Sequence, residues 1–536
     1  MSEESNKRRS VPLYLTLGCV AVILAWVIAV TQAVPFGIPH QWTWHPQVLA
    51  PLPMTGEAAA AFMAAMVVAA AVIALAMVRP RLSGLQVAAS LLALVAASLC
   101  LCLGLASMEP PAIDAARLLD GDDPWHRPAR ERLAVNLGVI LFSDVAFGYY
   151  TEAARIDDVG AFMRDHHERI RSPATPQRVQ THPAGTVLLV WLLREGVYAG
   201  GLWRLPSELI GPAHWDRVSG ILRGAGYGAV SERECVVAFV VALVLILCGS
   251  CLCIPTYLLA VQMGNRHRAL MTAAIAAFLP SALLFVPGID QLVALLGVCA
   301  LWLLCLGLHR RRLGLVAAAG LLLALDSLIS IGAASLVVLA VGIAVAPVVL
   351  VWRQEPAHRE AIRRAAVAIG ALLAGLLVPL ALLWPVCGYN AFDVALTAAA
   401  RQRAIVIDQW QRSYAPWLML NLVDFAVFLG PCVAVCALSW CVARVRRWRA
   451  AGALLRSDFL LVALLVTVAL VDLSGSARAE VGRIWMLFMP YVCILAARRA
   501  THHEHARASL FAFIVVVMQI LHTVILQENV DVMTPR

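Results

Sequence analysis

The stretch Ser143–Gly185, SDVAFGYYTEAARIDDVGAFMRDHHERIRSPATPQRVQTHPAG, is polar in a chain that is 61% hydrophobic and only 14% charged. Asp144 stands near its head and Glu152 further on, with the pair Tyr149–Tyr150 between them. At its far end His182-Pro183-Ala184-Gly185 opens an apolar run, Thr186–Leu193, which Arg194-Glu195 then interrupts. Whether that run crosses a membrane decides the topology of everything after it. A span needs roughly 20 mostly apolar residues, and this run is far shorter. A charged side chain at mid-span costs about 2.5–3.5 kcal/mol on insertion scales. Residues 186–203 therefore lie along the membrane or dip into it without crossing.

The arginines agree. If 186–203 does not cross, seventeen arginines between Arg266 and Arg507 fall in loops on one side. Only Arg401, Arg403, Arg412, Arg478, Arg483 and Arg536 fall on the other. Basic loops stay on the cytoplasmic side, and a crossing would invert the whole distribution. The net charge of +9 is almost all arginine, Lys7 being the sole lysine, and it reports these loops, not a nucleic-acid partner.

Composition defines an all-α polytopic membrane protein with about 13 transmembrane helices. The apolar runs lie near 11–34, 57–77, 85–106, 236–261, 269–286, 291–308, 314–331, 333–352, 366–385, 416–443, 458–472, 484–497 and 508–526. Residues 1–107 hold the first three spans, and 108–235 form a large extracytoplasmic loop with juxtamembrane helices. Residues 236–536 hold the rest, with outer loops at 386–415 and 473–483. The tail MSEESNKRRS reads as cytoplasmic, because the run after it is too long for the apolar core of a signal peptide. The 14 cysteines show no metal-ligand spacing and mostly sit in apolar runs as small hydrophobes. No GxxxxGK[ST] or dinucleotide fingerprint is present, which argues against direct use of a nucleotide.

Several of these pieces together resemble the GT-C superfamily of integral membrane glycosyltransferases, which includes protein O-mannosyltransferases and lipid A aminoarabinose transferases. The matching residues are Asp144 with Tyr149, Tyr150 and Ala153, then Thr181-His182-Pro183-Ala184-Gly185. Leu279-Pro280, Pro287-Gly288-Ile289-Asp290-Gln291 and Glu480-Val481-Gly482-Arg483-Ile484-Trp485 are similar to bacterial members. The chain departs from the family where Ala184 replaces a second proline and where two extra spans precede the acidic motif. The resemblance implies a GT-C-like fold and transfer of a sugar from a polyprenyl-phosphate donor to an extracytoplasmic glycan, lipid or protein. It leaves a divalent metal open and implies no other cofactor.

Such a reaction needs a carboxylate to take the proton of the attacking hydroxyl; Asp144 is the first candidate and Glu152 the second. The departing lipid phosphate needs cationic donors, and arginine suits it through its planar fork. Arg483 leads, with Arg478, Arg401, Arg403 and His182 behind it. Bland readings stand beside these. Asp144 also fits a helix cap, Glu152 a solvated face, and His182-Pro183 a simple helix start. Asp326 and Asp424 lie inside spans, where an acid is functional by default or hydrogen-bonded to a neighbouring helix. His502, His503 and His505 read as a solvated linker. A transporter or flippase is the alternative function, although no repeat between the two halves supports it. The expected location is a bacterial plasma membrane, with the N-terminus inside and the site on the outer face. Cysteines introduced at Glu208 and Asp216 are expected to label from the outer side of sealed membranes. Labelling from the cytoplasmic side alone would show that 186–203 crosses.

Overall fold

The computed structural model describes residues 13–31, 33–46, 54–79, 82–108, 129–144, 146–224, 230–350, 357–451, 456–500 and 505–531. Part of the 108–235 loop, Arg353, Arg536, His502 and His503 lie outside them. The described chain is almost entirely helical, as hydrocarbon requires, because a helix satisfies its backbone polar groups within one segment. Several helices begin on side-chain caps that take the place of water. Thr55 accepts from the amide of Ala58, Ser83 and Gln86 form a reciprocal capping box, and Ser231 and Asn265 cap the helices they precede.

Each of the thirteen apolar runs is helical, but they are not thirteen straight spans. Nine helices among the described residues are long and apolar enough to cross a membrane. The run expected at 269–286 is split into Arg266–Ala277 and Pro280–Leu284. Proline at the first position of the second piece supplies no amide to continue the first. The helix Leu313–Ile329 is only 17 residues long.

The run expected as one span at 416–443 is a bent pair, Tyr414–Leu429 and Pro431–Ala451, turned through 114° at Gly430. Two features at the bend explain it. Pro431 opens the second helix, and Gly430 has φ +97°, where a side chain is strained. A Cβ there would stand 1.5 Å from Oε1 of Gln519, whose amide nitrogen donates to the carbonyl of Leu429.

Helix Ala184–Ala199 keeps its charges by pairing them. Arg194 donates from Nε to Glu234 at 2.8 Å, and Tyr150 and Tyr198 donate to the same carboxylate. Glu234 lies in the first turn of Glu232–Cys251, which opens a 32-residue apolar stretch to Met263. The charged end of the short helix therefore sits level with the start of a long apolar one.

The connector after the first helix, Leu13–Thr31, is ordered. It forms a hairpin of strands Phe36–Ile38 and Trp42–Pro46, and a short strand at Val530–Asp531 adds to it antiparallel. Trp44 packs against Phe285 and Phe428, and its indole N–H donates to Asp424 at 2.7 Å. The other oxygen of Asp424 accepts from the amide of Gly482 at 2.8 Å. This acid joins three segments, which accounts for it without any substrate.

Gly430→Ala is expected to cost at least about 2 kcal/mol, from left-handed strain together with overpacking. Thermal unfolding in detergent reads this directly, and an unchanged midpoint would contradict the reason given for the bend.

Candidate functional site

Several separate segments converge on one cavity of about 570 Å³. The hairpin brings Trp42 and Trp44, and the polar stretch brings Tyr149, Arg178 and His182. Phe285 enters from the end of helix Pro280–Leu284, Asp290 from the first turn of helix Ile289–Arg310, and Gln402 and Arg403 from helix Ala391–Ala404. The turn 474–485 supplies Ser474, Ser476, Arg478, Glu480, Arg483 and Trp485. The wall is thus part aromatic and part cationic.

Glu480 is the centre of the charged part. It is 6% exposed, and its oxygens lie 3.1 Å from Arg483, 3.2 Å from Arg412 and 3.6 Å from Arg178. Arg483 also reaches Asp290 at 3.7 Å. Burial alone would raise the Glu480 carboxyl, but Arg483, Arg178 and Arg412 together reverse this and hold it at about 2. Arg178 is pushed the other way, lowered by burial and by the like charge of Arg483, with Glu480 opposing. Three arginines against two carboxylates leave this cluster one positive charge in excess, and Arg403 and Arg478 on the wall add to it.

The turn that presents Glu480 is strained. Ala479 has φ +73° and Glu480 φ +58°, both non-glycine residues in the left-handed region. Each such residue costs of order 1–3 kcal/mol and persists only where its surroundings over-determine it. Asn421 does so by donating to the carbonyl of Ala477 and accepting from the amide of Ala479. Arg412 and Arg478 clasp the turn further, each donating to the other's carbonyl, at 2.6 and 2.5 Å. Arg412 also stacks over Trp410 and Trp42, with its guanidinium 4.1 and 4.9 Å from their ring centres.

The expected residues divide. Arg483, Arg478, Arg403, His182 and Tyr149 line the cavity. Arg401 does not line it; its Nε donates to Gln180 at 2.7 Å. Asp144 is exposed on the turn between Ile140 and Ala146, which both line the cavity, and one oxygen accepts from Thr151 at 2.8 Å. Glu152 lies elsewhere. It is buried against Arg169 at 2.6 Å and Arg155 at 3.4 Å, and lines a separate shallow pocket with Asp165 and Glu168. Tyr150 serves Glu234. Pro183 precedes the first turn of its helix, and Gly185 permits a close crossing, since a Cβ there would meet the Leu328 carbonyl at 2.4 Å. Asp326 is buried with neither oxygen hydrogen-bonded among the described residues.

Arg178, Asp290, Glu480 and Arg412 were not assigned roles from the sequence. Asp290 and Glu480 lie within the stretches quoted for the resemblance, which was the available signal. Nothing in the sequence marks Arg178 among the other arginines of its stretch. As to a divalent metal, both cavity carboxylates are engaged by arginines, and no cluster of three His, Cys, Asp or Glu among the described residues could hold an ion.

No family model matches the chain, and no curated protein matches it. Among solved structures the chain is similar to an oligosaccharyltransferase of Archaeoglobus fulgidus, in complex with Zn and sulfate, at 12% identity and a TM-score of 0.36. The match covers 74% of this chain and 53% of the other, so the chain spans about half that protein's length. A likeness this loose carries no argument about the site.

Glu480 provides a pH test. Its carboxyl falls from an ordinary 4.5 to about 2 in the folded chain, so its contribution is complete above 4.5 and is lost as pH falls toward 2. Glu480→Gln is expected to remove about 3–5 kcal/mol at neutral pH by leaving buried arginines uncompensated. Unfolding measured across this range should then be flatter with pH for the variant than for the wild type. Equal slopes would mean that Glu480 is not held as described.

Proposed function

We propose that the chain is a membrane glycosyltransferase that takes a sugar from a polyprenyl-phosphate donor at the outer face of a bacterial plasma membrane. The observation that carries this reading is the cavity itself, with half-buried arginines, Arg178 and Arg483, on one wall and tryptophan and phenylalanine on another. An anionic head group with an apolar tail satisfies both walls, and a lipid phosphate has that form. The sequence resemblance to the GT-C superfamily supplies the reaction.

In this mechanism the forks of Arg178 and Arg483 hold the phosphate oxygens and stabilise the charge that grows as the bond to the anomeric carbon breaks. Arg403 and Arg478 extend the positive wall. Glu480 keeps the arginines together in a poorly solvated place, where alone they would repel one another. Asp290 restrains Arg483 from the opposite side. The acceptor arrives from the aqueous side, and Asp144, exposed between two cavity-lining residues, takes the proton of its hydroxyl. The alkoxide oxygen forms the new bond, and the electron pair of the old one leaves with the lipid phosphate.

Asp144→Asn keeps the size of the side chain and is expected to slow transfer about 10²–10⁴-fold. Donor affinity should be unchanged. Arg483→Ala is expected to weaken donor binding as well, about a hundredfold for the loss of a charged hydrogen bond. Release of polyprenyl phosphate from a lipid-linked sugar by the purified chain measures both. Movement of intact lipid-linked sugar across a vesicle with no release would instead identify a flippase.

A further inference from the structure

His182 lines the cavity beside Arg178 and Arg483, where the resemblance made it a phosphate ligand. Its hydrogen bonds assign it differently. Nδ1 lies 2.8 Å from the carbonyl oxygen of Arg178, an atom that can only accept. Nδ1 must therefore carry the proton. Thr181 is consistent with this, since its hydroxyl donates to the same carbonyl at 3.0 Å and leaves a lone pair toward Nδ1, also 3.0 Å away.

The opposite corner of the ring, Nε2, has no hydrogen-bond partner among the described residues, and the side chain is partly exposed into the cavity. The ring packs edge-on against Tyr149, 5.3 Å between centres, and His166 Nε2 donates to the backbone carbonyl of His182, anchoring the main chain beneath it. The charged groups facing it are Arg178 and Arg483. Burial first, and then these two guanidiniums, push the imidazole down to about 4 despite the Arg178 carbonyl, so it is neutral at neutral pH.

We propose that Nε2 of His182 is a hydroxyl-binding subsite, accepting a hydrogen bond from an O–H of the sugar carried by the lipid phosphate. A neutral ring with its proton fixed on Nδ1 offers only a lone pair there, which repels a phosphate oxygen and attracts a hydroxyl. The cavity is then divided by chemistry: arginine forks for the anion, and His182 for the neutral, hydroxyl-rich ring next to it. This assignment rests on the lipid-linked sugar reading of the cavity, and it makes His182 a positioning and specificity residue, not a source of charge.

Two measurements on the full chain in lipid nanodiscs test it. The first is binding of sugar-free polyprenyl phosphate and of polyprenyl-phosphate hexoses and pentoses. His182→Ala should leave the sugar-free lipid within about twofold and weaken at least one glycosylated lipid about tenfold, the worth of one hydrogen bond. His182→Gln, which returns an acceptor near Nε2, should recover part of the loss, and His182→Lys none. Equal loss for the sugar-free lipid, with rescue by lysine, would make His182 a phosphate ligand and overturn the proposal. So would equal affinities of wild type and His182→Ala for every glycosylated lipid.

The second measurement needs no substrate and separates this proposal from the functional reading. Nitrogen NMR of 15N-histidine-labelled protein, assigned with His182→Gln, should find Nε2 unprotonated at pH 7. Adding inorganic phosphate should not change this. An Nε2–H tautomer or an imidazolium would overturn the subsite even if the chain is a glycosyltransferase. Failure of any polyprenyl phosphate to bind, with the Nδ1–H tautomer intact, would overturn the lipid-linked reading and the sugar subsite that rests on it.

Discussion

Glu480 and the arginines around it form the constraint on which the rest of the arrangement depends. A buried guanidinium is costly unless an opposite charge and hydrogen bonds replace its water. Here one carboxylate serves Arg178, Arg412 and Arg483, which come from three distant parts of the chain. Bringing them to one point fixes the position of the polar stretch, of the loop at 412 and of the turn at 480 relative to one another. The positive charge left over gives the cavity its preference for an anion. Glu480 is thus a structural counter-ion, and its depressed carboxyl makes it a poor base.

The same logic governs the polar groups among the apolar helices. Glu234 is surrounded by Arg194, Tyr150 and Tyr198, and Asp424 is divided between Trp44 and Gly482. Both acids hold segments together where hydrocarbon offers no competing partner. The hairpin of Trp42 and Trp44 depends on Asp424 for its attachment and gives the cavity its aromatic wall. That wall and the arginine wall are therefore tied through the turn 480–483, whose Gly482 amide binds Asp424 while Glu480 binds the arginines. The strain at Ala479 and Glu480 is local, but the contacts that hold it are long-range.

Much of this was legible from residue types alone. The apolar runs marked the long apolar helices, because a 20-residue apolar stretch has few other folds available, but not polar ones such as Ala391–Ala404 in the expected outer loop 386–415. Arg194-Glu195 marked helix Ala184–Ala199 as a short one, and the polar stretch placed Tyr149 and His182 beside the cavity. Arg483 was legible as an arginine at the head of an apolar helix. Arg401 and Arg403 were not separable in the sequence, since two positions along a helix differ by about 200° and only packing decides which one faces inward. The pairing of Glu152 with Arg169 was not legible either, since Arg169 lies 17 residues on in the next helix and no spacing rule connects them.

The sequence by itself determined the solvent, the helical class and the places where polar chemistry could stand, because hydropathy and charge act locally and need no partner. Tertiary structure alone decided which arginines share Glu480, that the apolar run at 416–443 bends at Gly430, and that a tryptophan hairpin forms one wall. It also decided the proton on His182, which depends on a carbonyl four residues away in a turn of defined geometry. These are properties of pairs and of distances, and a linear pattern contains them only once the chain has folded.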